Sequence, residues 1–104
     1  MSRESIGGTS EIEPGNARSF QVGEKRIAIC NVNGTFYAIN DVCTHDGAPL
    51  DQGVLEGSII TCPRHGAKFD VTTGKAVQMP AVIPVETYPV EIEDDTIYLI
   101  ADEE

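Results

Sequence analysis

"KRIAICNVNGTFYAIN", residues 25–40, holds two runs rich in β-forming side chains joined by Asn33-Gly34. An Asn-Gly pair between two such runs is the strongest short-range hairpin signal, because a type I′ turn needs positive φ at both central residues. Strands are therefore expected at 25–32 and 35–40, and the same texture continues on both sides. "ARSFQV" (17–22) precedes the pair and "GSIITC" (57–62) follows it. "AKFDVTTGKAV" (67–77) reads as a hairpin turning at Thr72-Thr73-Gly74, and "VETYPVEIE" (85–93) faces "TIYLIAD" (96–102) across Asp94-Asp95. No window keeps a helical period over ten or more residues. Many short strands with Gly and Pro between them predict an all-β antiparallel sandwich or barrel. The first ten residues, "MSRESIGGTS", read as frayed.

With 104 residues the expectation is one domain, 1–104, with a modest core and no deep substrate cavity. No apolar run approaches the roughly 20 residues of a membrane-spanning helix. The opening Met-Ser-Arg-Glu-Ser lacks the apolar core of a signal peptide, so a soluble, cytoplasmic protein without a membrane role is expected. Seventeen acids against seven Lys and Arg give a net charge of −10, which argues against nucleic acid as a partner. The same charge provides solubility and can steer the chain toward basic patches on other proteins. Three cysteines are too few and too odd in number for a secreted disulfide framework.

Two segments fit no strand: 41–53, "DVCTHDGAPLDQG", and 62–67, "CPRHGA". They hold both histidines and two of the three cysteines, as Cys43-x-His45 and Cys62-x-x-His65. Four soft or borderline ligands make a metal centre the first expectation. A structural zinc with two Cys and two His is the competing assignment. Zinc patterns usually pair like with like and leave at least two residues between pair members, whereas each half here is mixed and Cys43 and His45 are one residue apart. Mixed halves suit a dinuclear centre in which one iron takes both sulfurs and the other both nitrogens, the ligand set of a Rieske 2Fe-2S centre.

"CTHDGAPL" with "CPRHGAKFD" resembles the Rieske family, and the small Rieske ferredoxins of bacterial multicomponent aromatic-ring hydroxylating dioxygenases in particular. The likeness covers nearly the whole chain. It implies a Rieske-like sandwich with a small cluster-binding subdomain made of the two ligand loops. It further implies one 2Fe-2S cluster, with Cys43 and Cys62 on the inner iron and His45 and His65 on the outer one. The implied role is a carrier, not an enzyme: a monomer passing single electrons from an NAD(P)H-dependent, flavin-containing ferredoxin reductase to a terminal Rieske oxygenase. A small Rieske-like subunit of an assimilatory nitrite reductase is the alternative, and a zinc interaction module a third, which would be colourless. Within the loops, Gly47 and Gly66 are expected to let backbone amides approach the bridging sulfides, and Pro49 and Pro63 to stiffen the chain.

Rieske proteins of cytochrome bc complexes add a disulfide between the loops and hydroxyl donors after the second histidine. The matching positions here are Ala48 and Arg64, and Ala67 and Phe69. Fewer donors to sulfur stabilise the reduced cluster less, so a potential at the low end of the Rieske range, roughly −150 mV, is expected. Cys30, in "IAIC", reads as a buried core thiol. Asp46 and Arg64 read as exposed charges at the tip, Lys68 as one of few positive charges near it, and Gln52-Gly53 as a turn. Met79-Pro80 matches the segment that covers the cluster in the family, and Tyr37 and Tyr98 are core or rim.

Overall fold

The computed structural model describes residues 2–44, 47, 49–64, 66–79 and 83–101. The hairpin that opened the reading is present: β3 (Lys25–Val32) pairs with β4 (Thr35–Asn40) in register from Ile27↔Asn40 to Val32↔Thr35. Asn33 and Gly34 have φ of +53° and +93°, as a type I′ turn requires. β2 (Ala17–Val22) lies on the other side of β3, and the short β9 (Thr87–Tyr88) extends the sheet beyond β4.

This four-stranded sheet is the middle layer of the molecule. Residues 27–31 of β3 are buried without interruption, the pattern of a strand covered on both faces. Ile27 and Ile29 pack with Ala38, Ile12, Ile97 and Leu99 on one face. Ala28 and Cys30 pack with Ile39, Leu50, Ile60 and Phe69 on the other. The first face is covered by a sheet of β1 (Ser2–Gly8), β11 (Thr96–Ala101) and β10 (Val90–Glu93), in the order β1-β11-β10. The second is covered by a small sheet of β5 (Val54–Glu56), β6 (Ile59–Thr61), β7 (Lys68–Asp70) and β8 (Ala76–Gln78), all antiparallel.

Three features depart from the sequence reading. The first residues do not fray: Ser2–Gly8 is a full strand paired antiparallel to β11. Arg3 pins it, with its guanidinium 2.9 Å from Glu91, 2.8 Å from Glu93 and 4.0 Å over the Tyr98 ring. The run 85–93 is two strands in two sheets, because β9 pairs with β4 and β10 with β11. Pro89 separates them, having no N–H to give a continuous ladder. Finally, β5 was not expected; it pairs with β6 across the tight turn at Gly57, whose φ is +59°.

Candidate metal centre

The first irregular segment runs from the end of β4 in the middle sheet to the small sheet, and the second lies within the small sheet. The first leaves β4 at Asp41 and returns through a 3-10 turn, Leu50–Gln52, into β5. The second joins β6 to β7. Cys43 and Cys62 are each 1 % exposed and share the core that holds Leu50, Ile60 and Phe69. His45 and His65, with Asp46, Ala48 and Pro80, lie outside the described residues.

The two loops are closed in the same way. The Gly47 amide donates to the Cys43 carbonyl at 2.8 Å, and the Gly66 amide to the Cys62 carbonyl at 3.2 Å, four residues apart in each case. The glycines have φ of +79° and +78°. A Cβ on either would meet nothing within 4 Å, so the left-handed backbone, and not crowding, calls for glycine there. Their own amides are thus committed to closing the loops. One imidazole position follows each cysteine inside its closed turn: His45 precedes Gly47, and His65 directly precedes Gly66.

The loops are braced from outside. The Thr44 hydroxyl donates to the Ile83 carbonyl at 2.7 Å, tying the first loop to the proline-containing stretch, and the Gln78 amide donates to the Gly66 carbonyl at 3.2 Å. Asp41, 1 % exposed, closes the base of the first loop. Its Oδ1 accepts from the Asp51 amide at 2.8 Å, and its Oδ2 lies 3.2 Å from the Arg26 guanidinium. Burial, and then the neighbouring Asp41 carboxylate, push the Asp51 carboxyl above its usual range, and Asp51 Oδ1 is buried without a hydrogen-bond partner. Thr44, Asp41 and Gln78 went unnoticed in the sequence, since what marks them is their distant partners.

The remaining expected residues fall into place simply. Cys30 is fully buried, and burial, with the Asp41 and Asp51 carboxylates adding to it, pushes its thiol up to about 12. It is a neutral core thiol and not a thiolate ligand. Arg64 is exposed, and the Lys68 ammonium donates to the Thr61 hydroxyl at 3.1 Å. Ala67 and Phe69 are fully buried, so neither position puts a side-chain hydroxyl near Cys62. Met79 is 70 % exposed. Among the described residues no group of three or more His, Cys, Asp and Glu is gathered for a metal, and no helix is long and apolar enough to cross a membrane.

Two buried thiols on matching closed turns, each followed by a histidine position, fit a dinuclear iron-sulfur cluster better than a lone zinc. The described part of the donor set, the two cysteine sulfurs, is soft and buried.

Comparison with known proteins agrees. The profile of the Rieske 2Fe-2S domain matches residues 3–89. The chain is 38 % identical over 97 residues to the ferredoxin component of biphenyl 2,3-dioxygenase from Rhodococcus jostii RHA1, covering 93 % of this chain and 91 % of that protein. The Sphingomonas yanoikuyae B1 ferredoxin superposes with a TM-score of 0.92 at 32 % identity, covering 97 % of this chain and all of that one. A structure of the complex of reduced oxygenase and oxidized ferredoxin in carbazole 1,9a-dioxygenase contains a chain that superposes with a TM-score of 0.89 at 35 % identity, covering 93 % of this chain and all of that one.

Proposed function

The chain belongs to the Rieske 2Fe-2S domain family and carries one cluster of that type, and on that basis we propose that it is the ferredoxin of an aromatic-ring dioxygenase system. It is an electron carrier and not the catalyst. It takes single electrons from an NAD(P)H-dependent, flavin-containing ferredoxin reductase and delivers them to a terminal Rieske oxygenase. The observation that carries this most directly is the pair of matching closed turns around Cys43 and Cys62.

Cys43 and Cys62 would hold the inner iron and His45 and His65 the outer one. The cluster supplies reversible one-electron transfer; the protein supplies its placement. Both thiols are walled into the core, which keeps water from the sulfur side. The imidazole side is the route by which electrons enter and leave. Ala67 and Phe69 offer no hydroxyl to the sulfurs, which supports a low potential, roughly −150 mV.

Around the loops the surface suits brief docking. Among the described residues the exposed large apolar side chains are Val42, Val54, Val77, Met79, Ile83 and Ile92. All but Ile92 lie on the ligand loops' own flanks or on segments hydrogen-bonded to them. Such a rim gives a partner dry contact close to the cluster, while the net charge of −10 assists the approach to a basic surface. A monomer acting in the cytoplasm, organised as one domain over 1–104 with ligand loops at about 41–53 and 62–67, completes the proposal.

The test is reconstitution. The chain, a flavin-containing ferredoxin reductase, NADH and the terminal oxygenase of an aromatic-ring system are combined. Substrate-dependent NADH consumption should rise in proportion to the added chain. Consumption indifferent to the chain, with every oxygenase class tried, would contradict the proposed role.

A further inference from the structure

We propose that Gly53 is the positioning residue that sets the separation of the two ligand loops. This rests on the reading that these loops hold the cluster. Gly53 ends the first loop, and its amide donates to the Leu50 carbonyl at 3.0 Å. The next residues pair Val54↔Thr61 and Leu55↔Ile60, so the same register carried one step further sets Gly53 opposite Cys62. At this rung the backbones come unusually close. A Cβ on Gly53 would stand 1.8 Å from the Thr61 carbonyl oxygen and 2.9 Å from its carbon.

Gly53 has no positive φ, so conformational freedom does not explain it. The explanation is space. A methyl group there falls about 1.6 Å short of an ordinary 3.4 Å contact. The obstacle is backbone, not a side chain that can swing away. Thr61 is held in place because β6 pairs with β5 on one side and with β7 on the other. The strain must therefore be relieved by moving the first loop's anchor away from Cys62. Metal sites tolerate ligand displacements of about 0.2 Å, so a shift several times larger disturbs a cluster whose sulfur ligands come one from each loop. Gly57, in the turn of the same hairpin, is the natural control. Its φ is +59° but a Cβ there meets nothing within 4 Å, so substitution strains the turn without prying the loops apart.

Gly53→Ala and Gly57→Ala are compared with the unaltered protein for iron and sulfide per chain, electron paramagnetic resonance of the reduced cluster, midpoint potential and far-ultraviolet dichroism. Gly53→Ala should keep its β dichroism, because the core around Ile27, Ile29 and Ile97 on the other face of the middle sheet does not involve this contact. Its iron and sulfide content should fall several-fold, or the fraction that loads should show shifted g-values and a shifted midpoint. Gly57→Ala should lose stability while keeping loading, g-values and midpoint. Full loading of Gly53→Ala with unchanged spectra and potential overturns the proposal. So does an equal disturbance in Gly57→Ala, or complete unfolding of Gly53→Ala where Gly57→Ala folds. Absence of iron from the unaltered protein would instead overturn the cluster assignment itself.

Discussion

Replacing Asp41 separates two ways in which the first ligand loop could be held. Its carboxylate is 1 % exposed and makes two kinds of contact: Oδ1 accepts the Asp51 amide at 2.8 Å, and Oδ2 pairs with Arg26 at 3.2 Å. The Arg26 side chain is 49 % exposed, so water screens the pair and its contribution is about 0.5 kcal/mol. The bond from a backbone amide to a buried carboxylate contributes more, about 1.5–3 kcal/mol, and its loss strands the Asp51 N–H. Asp41→Ala should therefore cost about 2–3 kcal/mol. Asp41→Asn keeps an acceptor oxygen for the amide and relieves the repulsion with Asp51, so it should cost about 1 kcal/mol or less. The assay is urea unfolding at pH 7. With a slope of about 1 kcal/mol per molar for a chain of this size, Asp41→Ala moves the midpoint down by about 2–3 M and Asp41→Asn by about 1 M or less. If Asp41→Asn is as damaging as Asp41→Ala, the ion pair dominates and the hydrogen-bond account is refuted.

Asp51 makes stability depend on pH with a definite sign. Its carboxyl holds a proton to higher pH when folded than the unfolded value of about 3.9, so the folded chain binds more protons in that window and stability falls as pH rises through it. Asp51→Asn should flatten this fall in unfolding midpoints taken between pH 4 and pH 7, and an unchanged profile would show that another group is responsible. Cys30, fully buried with its thiol pushed up to about 12, should resist iodoacetamide at pH 8 in the folded protein and react once urea unfolds it; mass spectrometry locating the label on Cys30 in the folded state would contradict this. Asn31 is 4 % exposed, donates to the Ile12 carbonyl at 2.7 Å and accepts the Gly34 amide at 2.7 Å. Asn31→Ala should cost about 2–3 kcal/mol in the same urea assay, and a cost under 0.5 kcal/mol would mean water replaces both bonds.

What could be read from the sequence was what is local. The hairpin 25–40 needs only its turn and its own side chains, and it formed in the expected register. Cys43 and Cys62 stand out by spacing and residue type, each with a histidine close behind it, and the fold buries both thiols in one core. β1 was misread because nothing in "SRESIGG" alternates; it becomes a strand through β11, at the other end of the chain. Pro89 is the one signal in the sequence of a break in 85–93, a run whose other residues read as one strand. Asp41 carries no mark in the sequence and Gly53 reads only as part of a turn, for a shared reason. The role of each rests on a backbone group brought up by the fold, the Asp51 amide for one and the Thr61 carbonyl for the other. A glycine without positive φ looks, in sequence, like any turn residue.

The central claim is that one cluster takes two cysteines and two histidines from these loops. Pulsed electron paramagnetic resonance of the dithionite-reduced protein, produced with 15N-labelled histidine, tests it directly. His45 and His65 are the only histidines in the chain, so label and site coincide. The account predicts about two iron and two sulfide per chain and couplings to two histidine nitrogens, one of them lost in His45→Cys or His65→Cys if the cluster survives the change. A colourless protein holding zinc, or a reduced cluster without histidine nitrogen coupling, would contradict it.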